Sequence, residues 1–349
     1  MAGSTPVELG LDTFGDVTVD DAGAPIGAPQ TIRNVLEQAV LADDVGVDFL
    51  GVGEHHRDDY SVSAPEVLLG AIAARTRRIR LGSAVTVLSS DDPIRVLERF
   101  ATVDALSEGR AEVILGRGSF TESFALFGYD LADYEELFTD KLALFAELRT
   151  GGPVDWSGST RGPVRIAGVH PLLAHPPLPT WIAVGGSPES VVRAATYGMP
   201  LMLAIIGGDP LRFEPYVDLY RRALTQLEQP VDLPVGVHSP GHVADTDEQA
   251  REELWPHYAD YVARIGRERG WPPPTRIEFD QATGPSGSLY VGSPETVSRK
   301  IAATSKSLGL SRFDMKYSHG TLPHRYLMRS IELYGTQVIP RVRQLLDEP

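Results

Sequence analysis

Three short stretches carry residues whose types and spacing could do chemistry. The first is Glu54-His55-His56, at the end of an apolar run from Asp48 to Gly53. A histidine at such a strand end could give or take a proton near pH 7, or could simply hydrogen-bond its neighbours. Adjacent on a strand, the two imidazoles face opposite ways, which is poor geometry for one metal. The second is Gly116-Arg117-Gly118-Ser119, also ending an apolar run. The glycines free the backbone and the guanidinium fork suits a phosphate; the alternative is an ion pair with a neighbouring carboxylate. The third is Gly185-Gly186-Ser187-Pro188-Glu189-Ser190. Ser187 reads as a helix N-cap and Pro188 as the first helical residue. Free N–H groups and the Ser187 and Ser190 hydroxyls could hold a phosphate there. Gly292-Ser293-Pro294-Glu295-Thr296 repeats the pattern, so the motif can be only a cap. The glycine pair before Ser187, which permits close approach, favours the first copy as a binding site. Small residues at Ser83-Ala84-Val85-Thr86 would admit a flat ligand or a close-packed core.

These stretches must be positioned by strands that alternate with helices. Apolar strand segments are expected at 7–11, 48–53, 79–88, 111–115, 181–184, 201–206, 235–243 and 312–317, the seventh interrupted at Pro240-Gly241. Helical patterns follow each of them. Eight such units predict a (β/α)8 TIM barrel, an α/β fold, with the three motifs at the strand C-terminal ends where barrel active sites lie. A doubly wound open sheet is the rival. The excess length falls in two insertions, Gly151 to Pro179 after the fourth strand and Gly270 to Gly287 after the seventh, both read as loops. No repeat or linker divides residues 1–349, so one barrel domain is expected.

Composition narrows the function. With 32 basic and 47 acidic residues the net charge is −15, which argues against nucleic acid or an anionic membrane as partner. Any bound anion then needs a local trap. The absence of cysteine removes disulfides, thiolate metal sites and a thiol nucleophile. No P-loop, dinucleotide fingerprint or His-Glu-x-x-His is present, so no metal site is assigned. The N-terminus has no signal-peptide pattern, and a soluble, cytoplasmic protein is expected.

The stretch Asp48-Phe-Leu-Gly-Val-Gly-Glu-His-His56, with Ile79-Arg-Leu-Gly-Ser-Ala-Val-Thr-Val-Leu88, Asp104-Ala-Leu-Ser-Glu-Gly-Arg110 and Gly116-Arg-Gly118, resembles the bacterial luciferase-like monooxygenase family. Gly185 to Ser190 and Ser318 to His324 extend the resemblance over nearly the whole chain. It implies a barrel that binds reduced FMN and uses O2 to oxygenate a small organic substrate. By the same resemblance Arg117 and Gly118 meet the flavin phosphate, and Gly186, Ser187 and Ser190 close the site. The Ala84–Val85 linkage matches a non-proline cis peptide beneath the flavin ring, and His55 a catalytic histidine near its reactive face. The family often has a polar residue where Gly116 stands. Reduced flavin would come from a partner reductase, and a homodimer is expected. The alternatives are an F420-dependent hydride-transfer oxidoreductase on the same barrel and a non-catalytic flavin-binding accessory protein. Tyr317, Ser318 and His319 are candidate substrate contacts, and Gly270 to Gly287 is expected to act as a lid.

Overall fold

The computed structural model describes residues 6–20, 22–118 and 120–348. Short runs of buried apolar residues form the strands β1 (Glu8–Thr13), β2 (Phe49–Val52), β3 (Arg80–Ser83), β4 (Thr86–Val87), β5 (Ala111–Gly116), β6 (Val154–Trp156), β7 (Val164–Ile166), β8 (Thr180–Val184), β9 (Leu201–Ala204), β10 (Val235–Val243), β11 (Tyr290–Gly292) and β12 (Arg312–Lys316). Eight of them pair in parallel in the order β1-β2-β3-β5-β8-β9-β10-β12, and β12 returns to β1, closing a barrel. The expected (β/α)8 fold is therefore present. The helices are α1 (Ala28–Asp44), α2 (Pro65–Ala73), α3 (Pro93–Ser107), α4 (Glu122–Phe127), α5 (Tyr134–Leu148), α6 (Pro188–Thr196), α7 (Glu214–Gln226), α8 (Asp247–Arg269), α9 (Arg276–Thr283), α10 (Pro294–Leu308), α11 (His324–Leu333) and α12 (Ile339–Asp347). No helix among the described residues is long and apolar enough to cross a membrane.

Three local expectations change. The third strand stops at Ser83, just before the cis Ala84–Val85 peptide, and two residues of β4 resume pairing with β5. The seventh strand is not interrupted at Pro240-Gly241. Pro240 falls where β10 has left β9 and passes from β12 to β11, so its missing N–H sits at a change of partner. The last helix carries a π-helical turn, Tyr334–Val338, which ends two residues before Pro340.

The insertions are more ordered than loops. The one after β5 holds the antiparallel β6–β7 hairpin, and the one after β10 holds α9. Helix α9 starts in a capping box made by Thr275 and Glu278 and buries Phe279 against Trp255 and Tyr258 of α8.

The barrel floor is ionic rather than purely apolar. Arg312 is fully buried between the Phe49 and Trp181 rings, at 4.4 and 4.5 Å, and pairs with Glu112 and Glu8. Arg80 adds a 2.9 Å contact to Glu112. The acidic partners neutralise a cation that burial would otherwise expel.

Candidate active site

The phosphate-type features converge at one side of the barrel mouth. Ser187 caps α6, accepting from the Ser190 N–H, and Pro188 follows it as expected. Gly186 adopts φ +115°, a conformation closed to most side chains, and its carbonyl accepts from Tyr216 at 2.7 Å. Arg117 extends from the end of β5 over the Tyr134 ring and pairs with Glu135. Gly118 (φ +78°) accepts from the Tyr134 hydroxyl at 3.0 Å. Ser119 lies outside the described residues. Sequence reasoning missed Arg193, one turn after Ser190 on α6, which meets the other oxygen of Glu135 at 3.1 Å. Its Nη1 and the Ser190 hydroxyl are buried without a hydrogen-bond partner. Unpaired buried donors beside two guanidiniums are what a phosphate dianion would satisfy. Of the two readings of Arg117, the structure shows the ion pair with a neighbouring carboxylate, and that carboxylate, Glu135, is exposed.

The second feature is the cis Ala84–Val85 peptide, which the resemblance implied. Glycines make room for it. A Cβ on Gly116 would lie 2.6 Å from Val85, one on Gly51 2.8 Å from Ala84, and one on Gly53 2.8 Å from the Ala84 carbonyl. Glycine at 116, where the family often has a polar group, is therefore a packing requirement. Glu54 braces the same turn. One carboxylate oxygen accepts from the Val87 N–H at 3.1 Å and the other meets His56 at 2.8 Å.

His55 turns the other way, into an aromatic cage. Its ring is stacked on Tyr60 at 4.3 Å and meets the edges of Phe14 at 4.7 Å and Phe120 at 5.2 Å. Burial pushes its pKa down to about 3, so the imidazole is neutral near pH 7. The histidine expected as a proton carrier is thus held neutral, because nothing in the cage stabilises the imidazolium enough to offset desolvation.

The C-terminal half of α8 lies over this cage. Tyr261 meets Tyr60 through their hydroxyls at 3.2 Å, and Glu268 holds Arg57 at 2.6 Å. Arg264 reaches Asp58 and Asp59. Arg57 in turn stacks over Phe120 at 4.5 Å. Within Gly270 to Gly287, the segment expected to act as a lid, α9 packs its buried face on α8.

Tyr317, Ser318 and His319, expected as substrate contacts, are all buried in packing. Tyr317 donates to Gln38 at 2.8 Å, and Ser318 donates to Asp16 at 2.5 Å. Asp16 also holds Lys316 at 3.2 Å. This network fixes the loop after β12, while Phe14, His55, Tyr60 and Phe120 form the aromatic surface nearby. His238 and His242 have separate acidic partners, Asp12 and Glu253. Among the described residues no cluster of three or more potential ligands could hold a metal.

The family profile described as luciferase-like monooxygenase matches residues 13–312. The chain belongs to that family. It is 28% identical over 336 residues to 4-hydroxyprotoasukamycin monooxygenase of Streptomyces nodosus subsp. asukaensis, covering 89% of this chain and 87% of that protein. The luciferase-like barrel also superposes on a monooxygenase of Streptomyces bottropensis with TM-score 0.82 at 23% identity, covering 95% of this chain and 99% of the other. The oxygenating constituent of 3,6-diketocamphane monooxygenase from Pseudomonas putida, solved with FMN, gives TM-score 0.78 at 19% identity over 97% and 99% of the two chains. F420-dependent enzymes are among the solved structures sharing this luciferase-like fold. These structural likenesses establish the barrel, and the family membership supports an oxidoreductase.

Proposed function

We propose that this chain is an FMN-dependent monooxygenase that oxygenates a small organic substrate with O2. The observation that carries the reading is the pair of buried unpaired donors on α6, Arg193 Nη1 and Ser190 Oγ, with Arg193 sharing the Glu135 carboxylate with Arg117. In this reading Arg117, Arg193, Ser187 and Ser190 hold the FMN phosphate, Gly118 and Gly186 allow its approach, and Ala84–Val85 supports the flavin ring. Reduced FMN would supply electrons to dioxygen when bound. The protein's part is to place the substrate, exclude water and manage protons. The Phe14, Tyr60 and Phe120 rings suit an apolar substrate, and the cover formed by α8 keeps water from it. His55 presents a neutral imidazole at this surface as a catalytic hydrogen-bonding group. Reduced FMN arrives from a separate reductase, and the barrels assemble as homodimers.

The test is a set of calorimetric titrations with FMN, riboflavin and F420. FMN should bind well ahead of riboflavin, and reduced FMN with O2 should support oxygenation of apolar test substrates. Preference for F420, with hydride transfer and no O2 consumption, would move the function to the F420-dependent class. FMN binding without turnover on any substrate tried would favour the accessory-protein reading.

A further inference from the structure

A second titratable pair lies in the barrel mouth, apart from the residues that carry the proposed function. His238 of β10 and Asp12 of β1 reach each other across β12, with Nδ1 2.7 Å from Oδ2. Asp12 is 1% exposed, and its second oxygen has no partner. The His238 side chain is 13% exposed, and its Nε2 has no hydrogen-bond partner among the described residues. Phe14 lies parallel to the His238 ring at 6.0 Å and 13°, and meets the edge of His55 at 4.7 Å. The two histidines therefore share one aromatic floor, but only His238 has a carboxylate against its ring.

The surrounding groups define its electrostatics. From β1 comes Asp12, from β12 Asp314 and Lys316, and from β9 the uncharged Ala204, which pairs with His238 in register. Lys316 lies over the far part of the floor, 4.6 Å from the Phe14 ring, and is bound to Asp16. A buried carboxylate accepting from Nδ1–H fixes the tautomer and leaves Nε2 as the basic nitrogen.

We propose that Asp12 and His238 form the acid–base dyad of the oxygenation, with His238 Nε2 exchanging the proton and Asp12 as its positioning residue. This rests on the monooxygenase reading above. His238 Nε2 takes up a proton that reduced FMN gives up on oxidation, while Nδ1 keeps its hydrogen donated to Asp12, and passes that proton to the O2-derived oxygen that leaves as water. Summed, reduced FMN, O2 and substrate give oxidised FMN, oxygenated substrate and water, so the dyad ends as it began. Without substrate, reduced FMN and O2 give oxidised FMN and hydrogen peroxide, and the same proton is needed.

The experiment has two arms, using Asp12→Asn and His238→Gln in the full chain. In the first, ¹⁵N-histidine NMR of the flavin-free protein should show His238 protonated at Nδ1 in the wild type and a mixed tautomer in Asp12→Asn. A wild-type tautomer already mixed, or unchanged by Asp12→Asn, overturns the dyad. In the second, FMN binding is measured first, and then reoxidation of bound reduced FMN by O2 is followed across pH. Both variants should bind FMN like the wild type, slow reoxidation by roughly 10²-fold or more, and flatten its pH profile. Absence of FMN binding by the wild type overturns the functional reading and the dyad with it. Normal FMN binding with an unchanged rate and pH profile in both variants overturns the dyad alone.

Discussion

Arg117 and Arg193 hold opposite oxygens of one carboxylate, that of Glu135 at the start of α5. Glu135 is 59% exposed, so it can leave without exposing a buried charge. A phosphate entering between the arginines must displace it. Exposed ion pairs are worth roughly 0.2–1 kcal/mol each, so Glu135→Gln, which removes two, should tighten FMN binding by about two- to thirtyfold. Riboflavin binding should not change. Weaker FMN binding in Glu135→Gln, measured by calorimetry, would mean that the carboxylate supports the ligand rather than competing with it.

Acid should weaken the fold from the histidine side first. Burial lowers His55 and His319 to about 3 from an ordinary 6.5, and lowers His257 and His324 as well. These groups stay neutral in the folded chain while the unfolded chain takes up protons below about pH 6.5. Their stability contribution is therefore whole above about pH 6.5 and falls as pH drops toward about 3. The slope is roughly 1.4 kcal/mol per pH unit for each fully shifted group. Asp16 and Glu112, held below their usual range against the effect of burial by Lys316 and Arg312, add loss at lower pH. Asp314, raised by burial, works in the opposite direction. Urea midpoints between about pH 7 and pH 5 should fall less steeply in His319→Asn than in the wild type. Parallel slopes would show that His319 titrates normally.

The ionic floor predicts an asymmetry between single and double changes. Glu112→Gln leaves Arg312 charged and short of its fully buried partner, which should cost about 3–5 kcal/mol in denaturant unfolding. Replacing both, Arg312→Met with Glu112→Leu, should cost less than Glu112→Gln alone, because the charges left without a partner, Glu8 and Arg80, are each about a third exposed. A double variant at least as damaged as the single one would show that the pair itself contributes net stability.

Much of this was legible in the sequence because it rests on local patterning. Helix α10 has the expected bounds, 294–308, since Ser293, Pro294 and Gly309 mark both ends. The barrel followed from strands and helices in alternation, and Ser187 declared itself as a cap through its neighbours. The rest depends on distant partners. Arg193 looks like any helical arginine until α5 brings Glu135 to it. His55 carries no sequence sign that Phe14, Tyr60 and Phe120 will bury it. Asp12 and His238 are 226 residues apart, and only closure of the barrel joins them. The stretch Gly270 to Gly287 read as loop because prolines crowd its start, which hid the apolar contact of Phe279 that anchors α9.

The central claim is that the Arg117 side of the mouth binds a flavin phosphate, and paired titrations of wild type and Arg117→Ala with FMN and riboflavin test it most directly. Loss of a charge-assisted contact worth roughly 1.5–3 kcal/mol should weaken FMN about ten- to a hundredfold or somewhat more and leave riboflavin nearly untouched. Arg117→Lys should recover only part, because the fork is lost. Unchanged FMN affinity in Arg117→Ala, or an equal loss for FMN and riboflavin, would contradict the account.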